Sequence, residues 1–352
     1  MWNETRLAEQ LGVRYPIIQG PFGGGASSVQ LTTTVSNAGG LGSYGAESVQ
    51  PEKIGRLVAE IRSKTEKPFA VNLWVPMSEP TGIDRDALVK GEAAFDKYFK
   101  ECAIELPPLP EQIIPKYEDQ VRALLDAAPP VFSFVYGAPE PEIIKECRRR
   151  AIFTVGTATT VQEGVFLEEA GVDCIVATGI EAGGHRPSFL RSAEISLTGM
   201  VSLVPQLVDH VRVPVIAAGG IADGRGIRAA IALGAEGVQI GTAFLACDES
   251  AASPEHRREL FGPSRSDTIL TRAFTGRLAR TIRNRLTDEL AKREDELAPY
   301  PMQVWLAGLL KVSALQRSDS SLISLWAGQS ASLVRHRKAN DLMEELVRGA
   351  VR

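Results

Sequence analysis

The stretch VPVIAAGGIADGRGIRAAIALGAEGVQIGT, residues 213–242, decides the fold class of this chain. Residues 213–218 form a short and almost wholly apolar run, which is typical of a strand buried on both faces of a parallel sheet. A glycine pair follows at once, a helix is predicted to begin near Gly224, and a second strand is predicted over residues 237–240. Two such strands, each ending in glycine before a helix, indicate the β/α repeat of a parallel sheet.

The ends of these two strands predict a phosphate-binding site formed by Gly219, Gly220, Gly241 and Thr242. In a β/α barrel, the loops after strands seven and eight frequently bind phosphate. Glycine lets a phosphate approach backbone N–H groups, a helix N-terminus adds partial positive charge, and the threonine hydroxyl is a further donor. The alternative is that the glycines only form tight turns. Residues 219–226 lack the Lys-Ser/Thr pair of a P-loop, which excludes nucleoside triphosphate chemistry.

The composition is that of a soluble globular enzyme. Of the 352 residues, 44% are hydrophobic, and the net charge of −4 provides no basic face for nucleic acid or an anionic membrane. No apolar run reaches about 18 residues and the charged start of the chain has no signal-peptide core, so we expect no membrane segment and a cytoplasmic location. The four cysteines are scattered without metal-ligand spacing, which favours a reducing compartment and no metal site.

Eight strands can be counted along the chain. They are predicted at residues 15–19, 40–44, 68–75, 130–136, 151–155, 172–177, 213–218 and 237–240. Helical patterns separate most of them, and eight alternating units indicate closure into a barrel. The sequence therefore predicts an α/β fold of the (β/α)8 TIM-barrel type. An open doubly wound sheet is the competing architecture, but no GxGxxG motif follows any early strand.

Two regions interrupt the barrel pattern, which otherwise spans residues 1–246. Residues 76–129 are too long for a plain connection, and we expect one or two helices there over the barrel mouth. Residues 247–318 are charged and rich in arginine without a strand pattern, which favours a helical lobe that covers the substrate. Residues 319–352 are predicted to pack back on the barrel as a C-terminal helix, with apolar helical spacing over residues 322–337.

Other strand ends carry further candidate site residues, because the active groups of a β/α barrel lie at the carboxyl ends of its strands. The first strand ends in Gln19, Gly20, Pro21 and Phe22, the third carries Asn72 and Trp74, and the sixth leads from Thr178 through Gly183 and Gly184 to His185. The Gly-Gly pair lets the backbone press against a flat ligand and presents the imidazole to it, so His185 is the main catalytic candidate. Glu181 either orients this loop or the imidazole, or is a solvated carboxylate. The other histidines, His210, His256 and His336, are predicted at the surface.

No metal-ligand set, Ser-His-Asp order or GxSxG motif is visible, so a phosphate-bearing cofactor must perform the difficult step. The chain resembles the nitronate monooxygenase family, also called 2-nitropropane dioxygenase. The motifs that carry the resemblance are PIIQGPFGGG (16–25), SNAGGLGSYG (36–45), PFAVN (68–72), EAGGHR (181–186), PVIAAGGIADGRG (214–226), VQIGTAFL (238–245), FTGRLARTIRN (274–284) and WAGQSASL (326–333). They occur in the family's order across most of the barrel and extend into the lobe and the tail.

The resemblance implies an FMN-dependent barrel enzyme that oxidises alkyl nitronates with O2 to a carbonyl compound and nitrite. The residues that we expect to bind FMN are Gln19, Gly20, Pro21, Phe22, Asn72, Thr178, Gly183, Gly184, Gly219, Gly220, Gln239, Ile240, Gly241 and Thr242. Thr178 is a departure, because the family usually has a flavin-contacting Gln at this position. By the same resemblance His185 faces the flavin and the substrate as a catalytic base. A neutral imidazole with a pKa near the working pH would suit removal of a proton from a neutral nitroalkane.

Two other functions stay open. A pyridine-nucleotide-dependent flavin reductase, of the quinone or enoyl-acyl-carrier-protein type, uses the same barrel and resembles this family closely. A flavin-binding protein without oxygenase turnover is the second alternative, which the position of His185 disfavours. The expected partners are a small nitronate or nitroalkane and O2, and Arg277 and Arg283 in the lobe are candidates for steering an anionic substrate. Whether the chain forms a homodimer is left open by the sequence.

Overall fold

Eight parallel strands form a nearly closed barrel in the computed structural model, which describes residues 1–77 and 84–351. The strands of the barrel are β1 (Ile17–Gln19), β2 (Gly42–Gly45), β3 (Phe69–Trp74), β4 (Val131–Val135), β5 (Phe153–Ala158), β6 (Cys174–Thr178), β8 (Val215–Ala218) and β9 (Gly237–Ile240), and a separate sheet contains β7 (Gly184–His185), β10 (Thr268–Thr271) and β11 (Ala279–Ile282). The barrel order is β1-β9-β8-β6-β5-β4-β3-β2. The predicted α/β barrel of the (β/α)8 type is confirmed.

Helices alternate with the barrel strands and surround them. In chain order they are α1 (Arg6–Leu11), α2 (Val29–Asn37), α3 (Pro51–Arg62), α4 (Arg85–Glu101), α5 (Tyr117–Ala127), α6 (Pro141–Arg149), α7 (Val161–Glu169), α8 (Met200–His210), α9 (Gly224–Ala232), α10 (Thr242–Leu245), α11 (Pro254–Phe261), α12 (Arg285–Leu290), α13 (Met302–Gln316) and α14 (Ala339–Val351). Short 3₁₀ turns occur at Ala193–Ile195, Pro263–Ser266, Ala291–Glu296, Ser320–Leu322 and Ala331–Leu333. Several helices begin at polar caps, such as Ser28 before α2 and Thr160 before α7, whose side chains accept a hydrogen bond from a first-turn N–H.

Both faces of the barrel strands are covered, which explains why they read as continuous apolar runs. Side chains that point into the barrel form one buried cluster, which contains Ile18, Ala70, Val131, Val155, Val176, Ile216 and Ala218. Alternate residues on the same strands, such as Ile17 and Val71, pack against the surrounding helices. Leu7 and Leu11 of α1 join the inner cluster, so this helix covers the end of the barrel opposite the carboxyl ends of the strands.

The barrel closes between β1 and β2 through a single parallel bridge that joins Ile18 to Leu41. Two main-chain hydrogen bonds make this seam, from Gln19 N to Leu41 O and from Leu41 N to Ile17 O, both at 2.9 Å. The side chain of Gln19 adds a third link, because its Oε1 accepts a hydrogen bond from Ser43 N at 3.0 Å. A buried amide therefore replaces part of the missing ladder at the seam.

The segment after the barrel contains strands as well as helices, so the expectation of a wholly helical lobe over 247–318 is corrected. Helices α11, α12 and α13 are present, but β10 and β11 form an antiparallel pair, and β11 also pairs with β7. Local sequence contains little sign of this sheet. Strand β7 has two residues, too few for a periodic pattern, and β10 is half-buried along its length without alternation.

The described part of the insertion over residues 76–129 contains the helices α4 and α5. Residues 78–83 of this insertion lie outside the described residues. Helix α4 packs closely on the segment that leads into α13. A Cβ at Gly91 would lie 2.8 Å from Ala298 Cβ and 2.9 Å from Leu306 Cδ1, so glycine allows the two helices to approach.

The tail differs from its prediction in the position of its helix. The apolar spacing at 322–337 suggested a helix, but the chain there is irregular, with two short 3₁₀ turns, and α14 begins only at Ala339. The reason is tertiary: Leu325 O accepts a hydrogen bond from Ile282 N, and Leu325 N donates to Thr281 Oγ1. Bonds to β11 replace the i to i−4 bonds of a helix. Helix α14 does pack back on the barrel layer, where Gly349 lies against Gly224 of α9.

A substitution at Gly42, at the start of β2, tests how closely β2 packs against α2. A Cβ at Gly42 would lie 1.9 Å from the carbonyl oxygen of Thr32 in α2, a backbone atom that cannot move away cheaply. We expect Gly42→Ala to lower the free energy of unfolding by about 3 kcal/mol or more, seen as a lower midpoint of guanidinium unfolding followed by circular dichroism. Gly55→Ala is the matched control, because no atom lies within 4 Å of a Cβ there. That exposed helical position should gain about 0.5–1 kcal/mol, and equal midpoints for the two variants would contradict the packing argument.

Candidate active site

A cavity of about 460 Å³ opens at the carboxyl ends of the barrel strands. Among its lining residues are the predicted site residues Gly20, Pro21, Phe22, Asn72, Thr178, Gly183, Gly184, His185, Gly219, Gly220, Gln239, Gly241 and Thr242. They come from the ends of five barrel strands and from β7, because parallel strands of a barrel all end on the same side. The volume lies within the range of small-molecule and cofactor pockets, about 300–1,000 Å³.

Two predicted site residues, Gln19 and Ile240, are not brought into the cavity wall. Both side chains are fully buried. Gln19 bonds to the backbone at the barrel seam, and Ile240 packs in the core while its carbonyl oxygen accepts a hydrogen bond from Gly20 N at 2.9 Å. Successive strand residues point to opposite faces, so Gln239 faces the cavity and Ile240 does not.

The glycine turns after β8 and β9 form a concave surface, here called the glycine cradle, made of Gly219, Gly220 and Gly241. Gly219 and Gly220 have φ values of +97° and +74°, a left-handed conformation that favours glycine. A Cβ at Gly241 would meet only the ring of Phe22, at 3.9 Å, so this side of the cradle is open space. Within the described residues, no main-chain hydrogen bond uses the N–H of these three glycines. The cradle therefore presents N–H donors that suit an anionic group.

The helix that follows β8 has its first N–H groups capped by a side chain, whereas α10, which follows β9, begins directly after Gly241 of the cradle. Asp223 caps α9, and its Oδ1 accepts hydrogen bonds from Arg225 N at 2.9 Å and from Gly226 N at 3.4 Å. The cap already satisfies these donors and places a carboxylate at this helix end. The donors available to an anion are therefore those of the glycine turns, of which the second also begins α10.

Residues of the tail complete the cradle. Gly328 N donates to Thr242 Oγ1 at 2.9 Å, which leaves the hydroxyl proton of Thr242 free to be donated to a ligand. Ser330 Oγ donates to Gly220 O at 2.5 Å and holds this turn in place. Gly183 is confined by the same segment, because a Cβ there would lie 2.6 Å from Gly328 N. The motif WAGQSASL thus supplies part of the cavity wall.

His185 is held by its main chain as well as by its surroundings. It pairs with Ala279 in the antiparallel ladder between β7 and β11, and the next residue, Arg186, donates its N–H to Leu278 O at 2.8 Å. Gly184, immediately before it, has φ +76°, and a Cβ at this position would have no atom within 4 Å, so the backbone here faces open cavity. The imidazole Nε2 lies 2.9 Å from the hydroxyl oxygen of Thr275.

The imidazole of His185 lies among aromatic rings. The centroids of Trp74, Trp326 and Tyr136 are 4.8, 5.5 and 6.5 Å from its own. Burial in these surroundings, with a smaller contribution from the positive charge of Arg277, lowers the pKa of His185 to about 3. The imidazole is neutral at pH 7, but its pKa is not near the working pH as the family resemblance led us to expect. The aromatic residues come from distant parts of the chain, so local sequence did not reveal the burial.

The two arginines proposed to steer a substrate have different surroundings. The guanidinium carbon of Arg277 lies 3.7 Å from the ring centroid of Tyr300 and 4.4 Å from that of Tyr136, which places this cation against the cavity's aromatic wall. Arg283 is half-exposed and its Nε lies 2.5 Å from Asp288 Oδ1. Of these two arginines, only Arg277 contributes to the lowered pKa of His185.

Other predicted residues have defined contacts at the strand ends. Asn72 Nδ2 donates to Ser133 Oγ at 3.1 Å across β3 and β4. Glu181 accepts hydrogen bonds from Met200 N through both carboxylate oxygens, at 2.9 and 3.0 Å, so it orients the loop before His185 and is not a solvated carboxylate. Thr178 lines the cavity, and its carbonyl oxygen accepts a hydrogen bond from Arg186 Nη1.

Sequence reasoning missed the cavity residues that come from the segments after the barrel. Among them are Phe274, Thr275, Tyr300, Val304, Lys311, Trp326, Gly328 and Ser330. The motifs FTGRLARTIRN and WAGQSASL were the signal that contained several of them. The surface position predicted for His256 is wrong: the residue is buried, and its Nε2 donates to Trp326 O at 3.0 Å. Burial lowers the pKa of His256 to about 4.

Neither a metal centre nor a membrane span is found in the part of the chain that the structure describes. Over residues 1–77 and 84–351, no group of three or more His, Cys, Asp or Glu side chains is placed to hold a metal ion. Within the same ranges, no helix combines the length and apolar character that crossing a membrane requires.

The chain is similar to known proteins over nearly its whole length. Residues 4–349 match the family model described as nitronate monooxygenase. A probable nitronate monooxygenase of Staphylococcus aureus (strain Newman) is 38% identical over 348 residues, which cover 99% of this chain and 97% of the relative. The structure of nitroalkane oxidase from Streptomyces ansochromogenes has a TM-score of 0.89 and 36% identity, with 98% of this chain and 97% of that chain covered. The structure of FabK from Thermotoga maritima has a TM-score of 0.75 and 30% identity, with 99% and 96% covered. The chain belongs to the nitronate monooxygenase family of oxidoreductases.

Proposed function

We propose that this enzyme oxidises alkyl nitronates with O2 to a carbonyl compound and nitrite, and that FMN is its cofactor. One observation carries the proposal: the glycine cradle and the imidazole of His185 line the same cavity. Family membership supports oxidation of nitronates in general. The cradle supports a cofactor with a phosphate group, and the resemblance to the FMN-dependent enzymes of the family supports FMN.

The residues present fit FMN. The three cradle glycines and the Thr242 hydroxyl would hold the phosphate, because they offer N–H and O–H donors without a Cβ in the way. Asn72, Thr178 and the open backbone at Gly184 would lie along the flat ring system. When bound, FMN supplies an electron acceptor for the nitronate carbon and a donor for O2.

The surrounding side chains prepare the cavity for a small anionic substrate. Trp74, Trp326 and Tyr136 form apolar walls that exclude water from a bound nitronate. Arg277 and Lys311 place positive charge beside the cavity, which attracts an anion. Burial also lowers the pKa of Lys311 below its ordinary value.

The low pKa of His185 favours pre-formed nitronates over neutral nitroalkanes. A base with a pKa of about 3 has little driving force to remove a carbon-bound proton at pH 7. It gains strength only as negative charge develops on the nitronate oxygens, because a nearby anion stabilises the imidazolium. We infer that neutral nitroalkanes are the slower substrates and that His185 serves them as the proton acceptor.

A reductase that uses NADH or NADPH is the second candidate function. The motif EAGGH favours it, because flavin reductases of the quinone and enoyl-acyl-carrier-protein type resemble this family closely in the same motif. Similarity of fold does not separate the two activities. They differ in the molecule that reduces the flavin, and this difference can be measured.

Gly241 gives a direct test of the cradle. A Val side chain there would fill open cavity without a backbone clash, because the nearest atom to its Cβ is 3.9 Å away in the Phe22 ring. We expect Gly241→Val to lower the FMN content of the purified protein at least tenfold, which corresponds to about 1.4 kcal/mol of binding free energy. Flavin released on denaturation and separated by chromatography measures this content and identifies FMN. Gly55→Val, at an exposed site with equal free space, should keep full occupancy. Full occupancy in both variants would remove Gly241 from the phosphate site.

His185→Asn should separate proton removal from nitronate oxidation. We expect kcat/KM for a neutral nitroalkane to fall roughly 10²–10⁴-fold, the scale of a lost general base, while kcat/KM for the matching nitronate falls far less. Steady-state oxygen consumption with freshly dissolved nitroalkane and with pre-formed nitronate measures both values. Equal losses would show that His185 positions the ligand and does not take the proton.

The pH dependence of the wild-type enzyme tests the lowered pKa of His185. Because the pKa of His185 is lowered to about 3, the imidazole stays neutral from pH 8 to pH 5. We therefore expect no loss of nitroalkane turnover in this range from protonation of His185, whereas an ordinary histidine base would lose activity below about pH 6.5.

Anaerobic mixing decides between oxidation of nitronates and reduction by nicotinamide cofactors. Residues of the segment 247–318 line the cavity, and this segment contains no second glycine-rich nucleotide turn, so we expect rapid bleaching of the flavin by a nitronate and slow or no bleaching by NADH or NADPH. Admission of O2 should then yield nitrite, which a colorimetric assay measures. Fast reduction of the flavin by NADH or NADPH, with no response to any nitronate, would reject the proposed oxidation of nitronates and support the reductase.

A further inference from the structure

We propose that Thr275 is a positioning residue that fixes the tautomer of His185, with the proton on Nε2 and the lone pair of Nδ1 available as the proton acceptor. Thr275 lies in the segment after the barrel, 90 residues from His185 in sequence, and both line the cavity. The kinetic part of this inference rests on the proposed function, whereas the assignment of the tautomer does not.

Three contacts meet at the hydroxyl of Thr275. His185 Nε2 lies 2.9 Å from Oγ1, Arg277 N lies 3.3 Å from Oγ1, and Oγ1 lies 3.2 Å from Arg277 O. The amide N–H of Arg277 can only donate, and its carbonyl oxygen can only accept. The imidazole nitrogen is the one partner that can do either, depending on the tautomer.

Counting protons selects one arrangement. A hydroxyl has one proton and two acceptor lone pairs. If the proton goes to Arg277 O, the two lone pairs accept from Arg277 N–H and from His185 Nε2–H, and all three contacts become hydrogen bonds. If the proton goes instead to a bare His185 Nε2, the contact between Thr275 Oγ1 and Arg277 O joins two acceptors and is lost as a hydrogen bond. The arrangement with three hydrogen bonds leaves Nδ1 without a proton.

The backbone holds Thr275 in this position. Gly276 has φ +76°, and a Cβ there would lie 2.6 Å from Ala298 O, so the turn that brings Arg277 back to Thr275 Oγ1 needs glycine. The turn is followed directly by β11, whose ladder with β7 fixes the main chain of His185. Both partners of the hydrogen bond are thus attached to the same small sheet.

The tautomer decides where a proton can go. Among the described residues, Nδ1 of His185 makes no hydrogen bond, and Nε2 makes one, with Thr275. When the α-carbon of a nitroalkane loses its proton, the C–H electron pair becomes part of the nitronate and the proton bonds to Nδ1. The imidazolium that forms keeps its Nε2–H bond to Thr275, so the hydroxyl need not turn during the reaction.

Nitrogen-15 NMR of the holoenzyme tests the assignment directly. The chain has four histidines, and a His185→Asn spectrum identifies the signals of His185. We expect two-bond couplings in the wild-type protein to show a protonated Nε2 and a bare Nδ1. In Thr275→Val, which has the same shape without the hydroxyl, this preference should be lost, and Thr275→Ser should restore it. A protonated Nδ1 in the wild-type protein, or an unchanged tautomer in Thr275→Val, would overturn the proposal.

The kinetics of the same variants provide a second test of the role of Thr275. We expect Thr275→Val to lower kcat/KM for a neutral nitroalkane by roughly three- to tenfold, the scale of one neutral hydrogen bond, with a smaller loss on the nitronate and recovery in Thr275→Ser. Equal losses on both substrates in Thr275→Val would contradict a role in proton acceptance. If neither compound is a substrate of the wild-type enzyme, the proposed function fails, and the NMR spectra still decide the tautomer.

Discussion

The antiparallel pairing of β7 with β11 is the interaction on which the cavity depends. Strand β7 contains only Gly184 and His185, and β11 belongs to the segment after the barrel. The loop after β6 has other contacts as well, because Glu181 accepts hydrogen bonds from Met200 N and Arg186 donates to Thr178 O, but only this ladder fixes the main chain of His185 itself. The ladder joins the barrel to the segment that covers it. One wall of the cavity and its imidazole therefore have a common main-chain support.

The barrel could be predicted because its signals are local. Each strand is covered on both faces, so it appears as an apolar run, and the turn after β8 needs glycine at left-handed φ. The small sheet could not be predicted, because β7 has only two residues, too few to show an alternating pattern. Its partner strand lies about 95 residues away in the sequence. The surface position expected for His256 failed for the same kind of reason. Polar neighbours in sequence say nothing of Trp326, which reaches that histidine from the tail.

The electrostatics of the site follow from residues that the barrel pattern does not contain. Trp326 and Arg277 surround an imidazole whose sequence neighbours are glycines and an arginine. The loop sequence indicated that His185 is presented to the cavity, but not that the cavity disfavours its charged form. The glycine cradle shows the reverse case. Its chemistry is main-chain chemistry, so the sequence of the turns was sufficient to place it, except for the cap at Asp223 that occupies the neighbouring helix end.

The path of residues 326–330 along the cavity has a consequence for how such an enzyme can change. These residues and Tyr300, Val304 and Lys311 shape the space available to a substrate, yet none of them belongs to a barrel strand. Part of the space available to a substrate is thus set by segments of the chain that do not form the barrel. Substitutions in the covering segments can alter the shape and charge of the cavity while the barrel core stays intact. A family built in this way can diversify its chemistry without first refolding its scaffold.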